Sequence, residues 1–484
     1  MEKSMGTCPS VAAAVLGITV WALAGCGGEL MVDQEGDPGA APADVVRSGF
    51  FIDPYRSVLV RDVGVVDDDS RTQDPCASTN GTDISRKYWF FGYLMTQMTS
   101  GTDYSGFAQS WLKSWETSTT LNNDSLVEAR PSGTGIESTK PIATRIREAW
   151  QRKSGGGALA MSKAPFRLLA IVNRFDLRKE PRRFREGASG ELRFVFSALD
   201  LDQGCNEYGT PHDLSFRGQE LVILEYAVDI STPAAKRTWI LSWTDLTSHE
   251  PGSPEFNQGL QNLTQQVVAK GKGGSRPNGS ALIRIRTNET ANAVQWDLRE
   301  FEINATTHLV VPAVVKQTPR DSLNCTLNGS TCSNDLAHWM RDNRDRILAD
   351  TYEVPDRFPA GYSTVNFRGA HSTNALGNTY WKGGSGYVVP SEVRHQFSKN
   401  TCSGCHSAET GTSFFHIQGR DKGSVAKLSP FLTGYECDGP MLGCAEEITG
   451  PPHCVNDPVT QEQRCFGEVD RRVADILTFL NTGI

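Results

Sequence analysis

The chain is constrained first by its cysteines. Twelve occur in 484 residues, and two of them stand in the pentapeptide Cys402-Ser403-Gly404-Cys405-His406. That spacing lets two thiols reach the two vinyl groups of a haem while the adjacent imidazole turns onto the iron. Cys402, Cys405 and His406 are therefore the candidate residues for holding one covalent haem c. Two other chemistries suit the same side chains. One is a Cys402–Cys405 disulfide, redox-active or structural, and the other is a zinc site that also recruits His416. An oxidising compartment counts against zinc, because free thiols there pair before they meet metal.

The N-terminus points to such a compartment. Val11 to Ala24 is an apolar run broken only by Thr19, too short for a comfortable membrane span and suited to the apolar region of a signal peptide. It ends in Leu23-Ala24-Gly25-Cys26, which resembles the bacterial lipobox. Residues 1–25 then read as a lipoprotein signal peptide, with Cys26 as the lipidated first residue of the mature chain. Residues 26–44, rich in Gly, Pro, Ala and acid, read as a flexible tether. Gly27 in place of Asp leans towards the outer membrane, so the expected place is the cell envelope, held to the membrane through the N-terminal lipid. With Cys8 in the signal, Cys26 on lipid and Cys402 and Cys405 on haem, the remaining cysteines are even in number. Short polar loops between neighbours suggest pairing Cys325 with Cys332, Cys437 with Cys444, Cys454 with Cys465 and, by remainder, Cys76 with Cys205, although sequence alone does not fix connectivity.

Hydrophobic content of 38% and charged content of 21% are those of a globular chain rather than a disordered one. A net charge of −8 without a basic block excludes nucleic acid as the expected partner. Residues 166–173, 192–201, 221–230, 282–286 and 294–303 are rich in Val, Ile, Leu and Phe between turn residues and read as strands. The near-alternation Leu282-Ile283-Arg284-Ile285-Arg286 suggests a sheet with one wet face. Phe256, Leu260, Leu263, Val267 and Val268 fall at helical spacing before Gly271, and residues 335–352 carry a second amphipathic pattern. Residues 45–385 are thus expected to be α+β with a mostly antiparallel sheet, and the Gly- and Pro-dense stretch 353–390 marks a boundary before a further domain at 386–484.

Around the pentapeptide, Val393, Gln396 and Phe397 precede Cys402, Pro430-Phe431-Leu432-Thr433-Gly434 follows, and Val469, Val473, Ile476, Leu477 and Leu480 close the chain at helical spacing. Over residues 388–484 this resembles a class I c-type cytochrome. The resemblance implies a small all-α cytochrome c-like domain in which the C-terminal helix crosses the helix before Cys402. It also implies His406 as proximal iron ligand and the Pro430 carbonyl as its hydrogen-bond acceptor. A thioether is the usual sixth ligand in that family, and Met441 is the first choice here. His416 is the second, and if neither binds, the iron is five-coordinate.

The region 45–385 loosely resembles uncharacterised domains of exported bacterial proteins, notably in APFRLLAIVNRFDLR (164–178) and IRTNE (285–289), and this implies no activity. His212-Asp213, His249-Glu250 and Asp67-Asp68-Asp69 are weak motifs, better read as loops or solvated faces. Trp239, Trp243, Trp296, Phe301 and Trp339 are better read as core than as a ligand-binding surface. The sequence therefore predicts a monohaem electron-transfer lipoprotein with a redox partner protein. A cofactor-free, disulfide-stabilised surface binding protein and a haem peroxidase or sensor with an open iron position are the alternatives.

Overall fold

The computed structural model describes residues 51–77, 81–127, 142–179, 188–201, 206–207, 220–290, 296–324, 334–362, 366–373, 381, 389–412, 415–436 and 450–483. Cys26, Cys205, Cys325, Cys332, Cys437, Cys444, Met441 and His212-Asp213 lie outside them. Asp44–Ile484 form one compact unit. Among the described residues no helix is long and apolar enough to cross a membrane.

The strands in chain order are β1 (Leu59–Val60), β2 (Thr119–Leu121), β3 (Asp124–Val127), β4 (Phe166–Arg174), β5 (Glu191–Asp200), β6 (Asn206–Glu207), β7 (Glu220–Ala227), β8 (Leu282–Thr290), β9 (Trp296–Ile303), β10 (Val310–Ala313), β11 (Ser372–Thr373), β12 (Cys454–Asn456) and β13 (Gln463–Cys465). Among the described residues nine of them form one antiparallel sheet, ordered β1-β4-β5-β7-β8-β9-β10, with β6 added beside β5 and β11 beside β9. Strand β4 reads FRLLAIVNR and is buried along almost its whole length, as expected where both faces of a sheet are covered.

The first face carries the main core. Phe194, Phe196, Val222, Leu224, Ile285 and Phe301 meet Trp111 and Trp150 of the helices Tyr104–Lys113 and Ile142–Lys153, and Leu260 and Leu263 of the helix Pro254–Val268. The last helix starts where Ser253 Oγ accepts from the Phe256 N–H at 3.2 Å, with Pro254 in its first turn. It ends before Gly271, whose φ of 84° suits glycine. The pattern at 335–352 forms two helices rather than one, Asn334–Asp342 and Arg344–Leu348, parted at Asn343.

The expected division into an α+β part and a small all-α, cytochrome c-like C-terminal domain is not what the chain forms. The fold is a mixed α/β unit built on the large antiparallel sheet, and contacts cross the anticipated boundary near 385. The two helices that should cross each other serve different cores. Val393 and Phe397 of the helix Ser391–Lys399 pack with Leu336, Trp339 and Tyr352. Ile476, Leu477, Phe479 and Leu480 of the C-terminal helix Glu468–Thr482 join the main core instead. The physical reason is that a sheet this wide has two apolar faces to cover, and the C-terminal residues cover part of that surface rather than one another.

The anticipated wet face is also corrected. The face bearing Arg284 and Arg286 is covered by residues of the C-terminal segment that include Gln396, Cys402, His416, Phe431 and Leu432, and Arg284 is buried. Apolar Leu59, Val172, Val195, Leu221, Trp296 and Leu298 of this face join Cys402, Phe415, Phe431 and Leu432 in a second core.

Candidate haem cavity

The turn that carries the pentapeptide is held from three sides. Thr401 Oγ1 accepts from the Gly404 N–H at 3.0 Å, capping the short helix Cys402–Cys405, and itself accepts from Trp381 Nε1 at 2.8 Å. The Cys402 N–H donates to Thr318 Oγ1 at 2.9 Å, which ties the turn to the segment after β10. Gly404 is required there, because a Cβ at that position would lie 2.1 Å from the Ser398 carbonyl oxygen.

Cys402, Cys405, His406 and His416 line one cavity of about 380 Å³ between the second sheet face and the C-terminal segment. Such a volume lies within the usual range for small-molecule and cofactor sites. Its walls include apolar Val172, Val195, Leu221, Ile223, Leu298, Ile417, Phe431 and Leu432, together with seven Lys or Arg and three Asp or Glu side chains.

Both thiols are unpaired in this structure. Burial pushes both above the ordinary thiol range, and with Glu468 and Cys402 nearby Cys405 is pushed up to about 12. They are neutral thiols, the opposite of the low-pKa environment that reactive cysteines occupy. Zinc fares poorly too. Among the described residues, the only three-residue ligand set whose donor atoms converge within 4.8 Å is His395, Glu409 and Asp457, which is separate from the pentapeptide.

His406 stacks on Trp296, ring centroids 4.6 Å apart and 20° from parallel, and touches His416 at 4.4 Å. His416 Nδ1 lies 2.9 Å from Ser429 Oγ and its Nε2 3.2 Å from Cys405 Sγ. Burial, then the neighbouring His406 and Arg472, hold His416 well below the usual histidine range, so it is neutral and its nitrogens can act as ligands. The Pro430 carbonyl accepts from the Gly434 N–H at 2.8 Å. Its neighbour Ser429 makes the histidine contact, and that contact is with His416.

The sequence did not single out the charged floor of the cavity. Glu191, Glu225 and Glu300 are buried on the sheet face. Lys316 Nζ bonds Glu191 at 2.8 Å and Glu225 at 3.0 Å, Arg193 meets Glu225 at 3.1 Å, and Arg286 meets Glu225 at 3.2 Å and Glu300 at 3.0 Å. Burial alone would raise Glu191 and Glu225, but the surrounding cations keep both below the ordinary carboxylate range. Paired Arg and Glu positions on adjacent strands were the available signal. The Arg284/Arg286 alternation instead suggested solvent.

The convergent set His395, Glu409 and Asp457 is an ion-pair clamp. Arg394 grips Glu409 at 2.7 and 2.8 Å and Asp457 at 2.6 Å, and Arg464 reaches Asp457 at 3.0 Å, so two guanidinium groups already neutralise the carboxylates. The clamp holds the β12–β13 hairpin, closed by a Cys454–Cys465 disulfide, against the helix Ser391–Lys399. Cys76 is also disulfide-bonded.

The weaker motifs are structural. Asp67 pairs with Arg420, Asp68 with Arg71, and Glu250 with Arg56. Trp239, Trp243, Trp296, Phe301 and Trp339 are all buried, and of these Trp296 also backs the cavity. No protein-family model, curated protein or solved structure matches the chain.

Proposed function

We propose that the cavity holds one covalent haem c and that the protein works as a monohaem electron-transfer protein of the cell envelope. The observation that carries this reading is that Cys402, Cys405 and His406 line the same cavity with both thiols unpaired. The donor set fits the group: two thiols for thioether links, an imidazole for iron and apolar walls for the macrocycle. Bound haem would supply one-electron cycling of iron.

The chain's own residues orient and insulate. Thr401, Thr318 and Gly404 fix the turn on which the thiols sit, and Trp296 limits rotation of the His406 ring. His416 and Met441 are the two candidates for the second axial position. The contact between the His406 and His416 rings leaves no room for an atom between them, so ligation by His416 requires one ring to swing away. Lipidation at Cys26 and a redox partner protein complete the proposal.

The test is expression in a host that matures c-type haem, followed by a haem stain of the denatured protein. One haem should survive denaturation, and the Cys402→Ala/Cys405→Ala variant should be colourless. A colourless wild-type product from a host that matures other c-type haems overturns the reading. Ready binding of carbon monoxide by the reduced protein would replace electron transfer with the peroxidase or sensor alternative.

A further inference from the structure

One wall of the cavity carries more positive charge than its protein partners balance. Arg174 grips Asp176 through two bonds of 2.9 Å. Arg471 grips Glu468 at 2.7 and 2.8 Å and reaches Asp176 at 3.1 Å. Arg472 has a single bond, from Nε to a Glu468 oxygen at 3.1 Å, and that oxygen is already shared with Arg471. Three guanidinium groups therefore face two carboxylates, and the terminal nitrogens of Arg472 have no protein hydrogen-bond partner among the described residues.

Arg472 is 7% exposed, lies on the buried stripe of the C-terminal helix beside Val469 and Ile476, and lines the cavity. A half-paired buried arginine is costly unless an anion completes it. Its acidity agrees: burial and the adjacent Arg174 push it down to about 10, against the opposing pull of Glu468.

We propose that Arg472 is the receptor for a carboxylate bound in the cavity, through the free edge of its guanidinium. Two sources share that chemistry: a propionate of the haem, in which case the inference rests on the haem reading, or a free small carboxylate, in which case it does not. Arg472 is a binding residue in either case, and Arg174 and Arg471 take up Asp176 and most of Glu468, leaving Arg472 only its Nε bond to Glu468.

The experiment uses the full chain carrying Cys402→Ala and Cys405→Ala, so that porphyrin binding is reversible. Ferric haem and its dimethyl ester are titrated spectroscopically, and acetate is scored by thermal stabilisation against chloride at equal ionic strength. If a propionate is the ligand, the ester binds about tenfold or more weaker than haem. Arg472→Gln then brings haem to the level of the ester, and Arg472→Lys restores part of the difference. If a free carboxylate is the ligand, acetate stabilises the protein and Arg472→Gln abolishes this, whether or not porphyrin binds.

Failure of both porphyrins to bind leaves the haem reading to the covalent test on wild-type protein and leaves the acetate result to decide this proposal. Equal binding of haem and ester together with no acetate effect overturns it. A purely structural Arg472 would weaken haem and ester alike, which also overturns it. Far-UV circular dichroism of each variant confirms folding, and Arg472→Lys serves as the second variant should Arg472→Gln unfold.

Discussion

Arg420 offers a direct test of the single-unit architecture. Its side chain is fully buried. It bonds Asp67 at 2.7 and 2.9 Å, the Leu168 carbonyl of β4 at 2.9 and 3.1 Å, and the Ser424 carbonyl at 3.0 Å. Arg61 adds a bond to the Ala426 carbonyl at 2.8 Å. One guanidinium thus joins the segment after the pentapeptide to the start of the described chain and to the sheet. Removing one partner of a buried pair typically costs about 3 to 5 kcal/mol. Asp67 is partly exposed and keeps the Gly423 N–H at 2.8 Å, so Arg420→Met should fall near the lower end, about 3 kcal/mol.

The assay is urea unfolding followed by tryptophan fluorescence and by far-UV circular dichroism. Both probes should shift together, because the sheet and the C-terminal segment share their cores. Acid sharpens the comparison. Burial alone would raise Asp67, but its bond and charge pairing with Arg420 bring it below the usual carboxylate range. A lowered folded pKa gives stability that is present above the unfolded value and lost as pH falls, so wild type should lose more stability than Arg420→Met on acidification. Two separated transitions, with only one moved by the substitution, would refute the reasoning.

Two further outcomes follow from the described residues. Cys454 and Cys465 close a loop with a sequence separation of 11, for which chain entropy gives about 3 kcal/mol. Cys454→Ala/Cys465→Ala should lower the urea midpoint accordingly, and an unchanged midpoint would show that the Arg394 clamp alone holds the hairpin. Asp321 is raised to about 6, by burial first, with His371 and Thr373 opposing and Asp124 and Asp297 adding to the rise. A raised folded pKa means stability that is full below the unfolded carboxylate value and lost as pH rises through about 6. Asp321→Asn should therefore flatten the stability profile between about pH 4 and 6, by no more than about 3 kcal/mol, and an unchanged slope in pH-dependent urea midpoints would remove Asp321 as its source.

The parts of the fold that could be read from sequence are those set by local periodicity. The strand Phe166–Arg174, the helix Pro254–Val268 and the C-terminal helix each announce themselves through spacing and end signals. The identity of their packing partners does not lie in periodicity. The stripe Val469, Val473, Ile476 and Leu480 says that a helix buries one side, and is silent on whether it meets the helix before Cys402 or the sheet. The resemblance to a cytochrome answered that question by analogy, and the width of the sheet answered it differently.

The site divides along the same line. Cys402, Cys405 and His406 are legible because their chemistry needs them adjacent in the chain. The wall they face is assembled from β4, β5, β7, β8, β9 and the C-terminal helix, where each charge looks like ordinary surface until its partner is known. Arg193, Glu225, Arg286 and Glu300 become a buried lattice only through strand register. Arg472 shows the limit most clearly. Among the charges of its helix it reads as one more polar residue, and it becomes informative only when Glu468 is seen to be shared with Arg471. That is a statement about three-dimensional charge balance, and it is the balance that makes the cavity receptive to an anion.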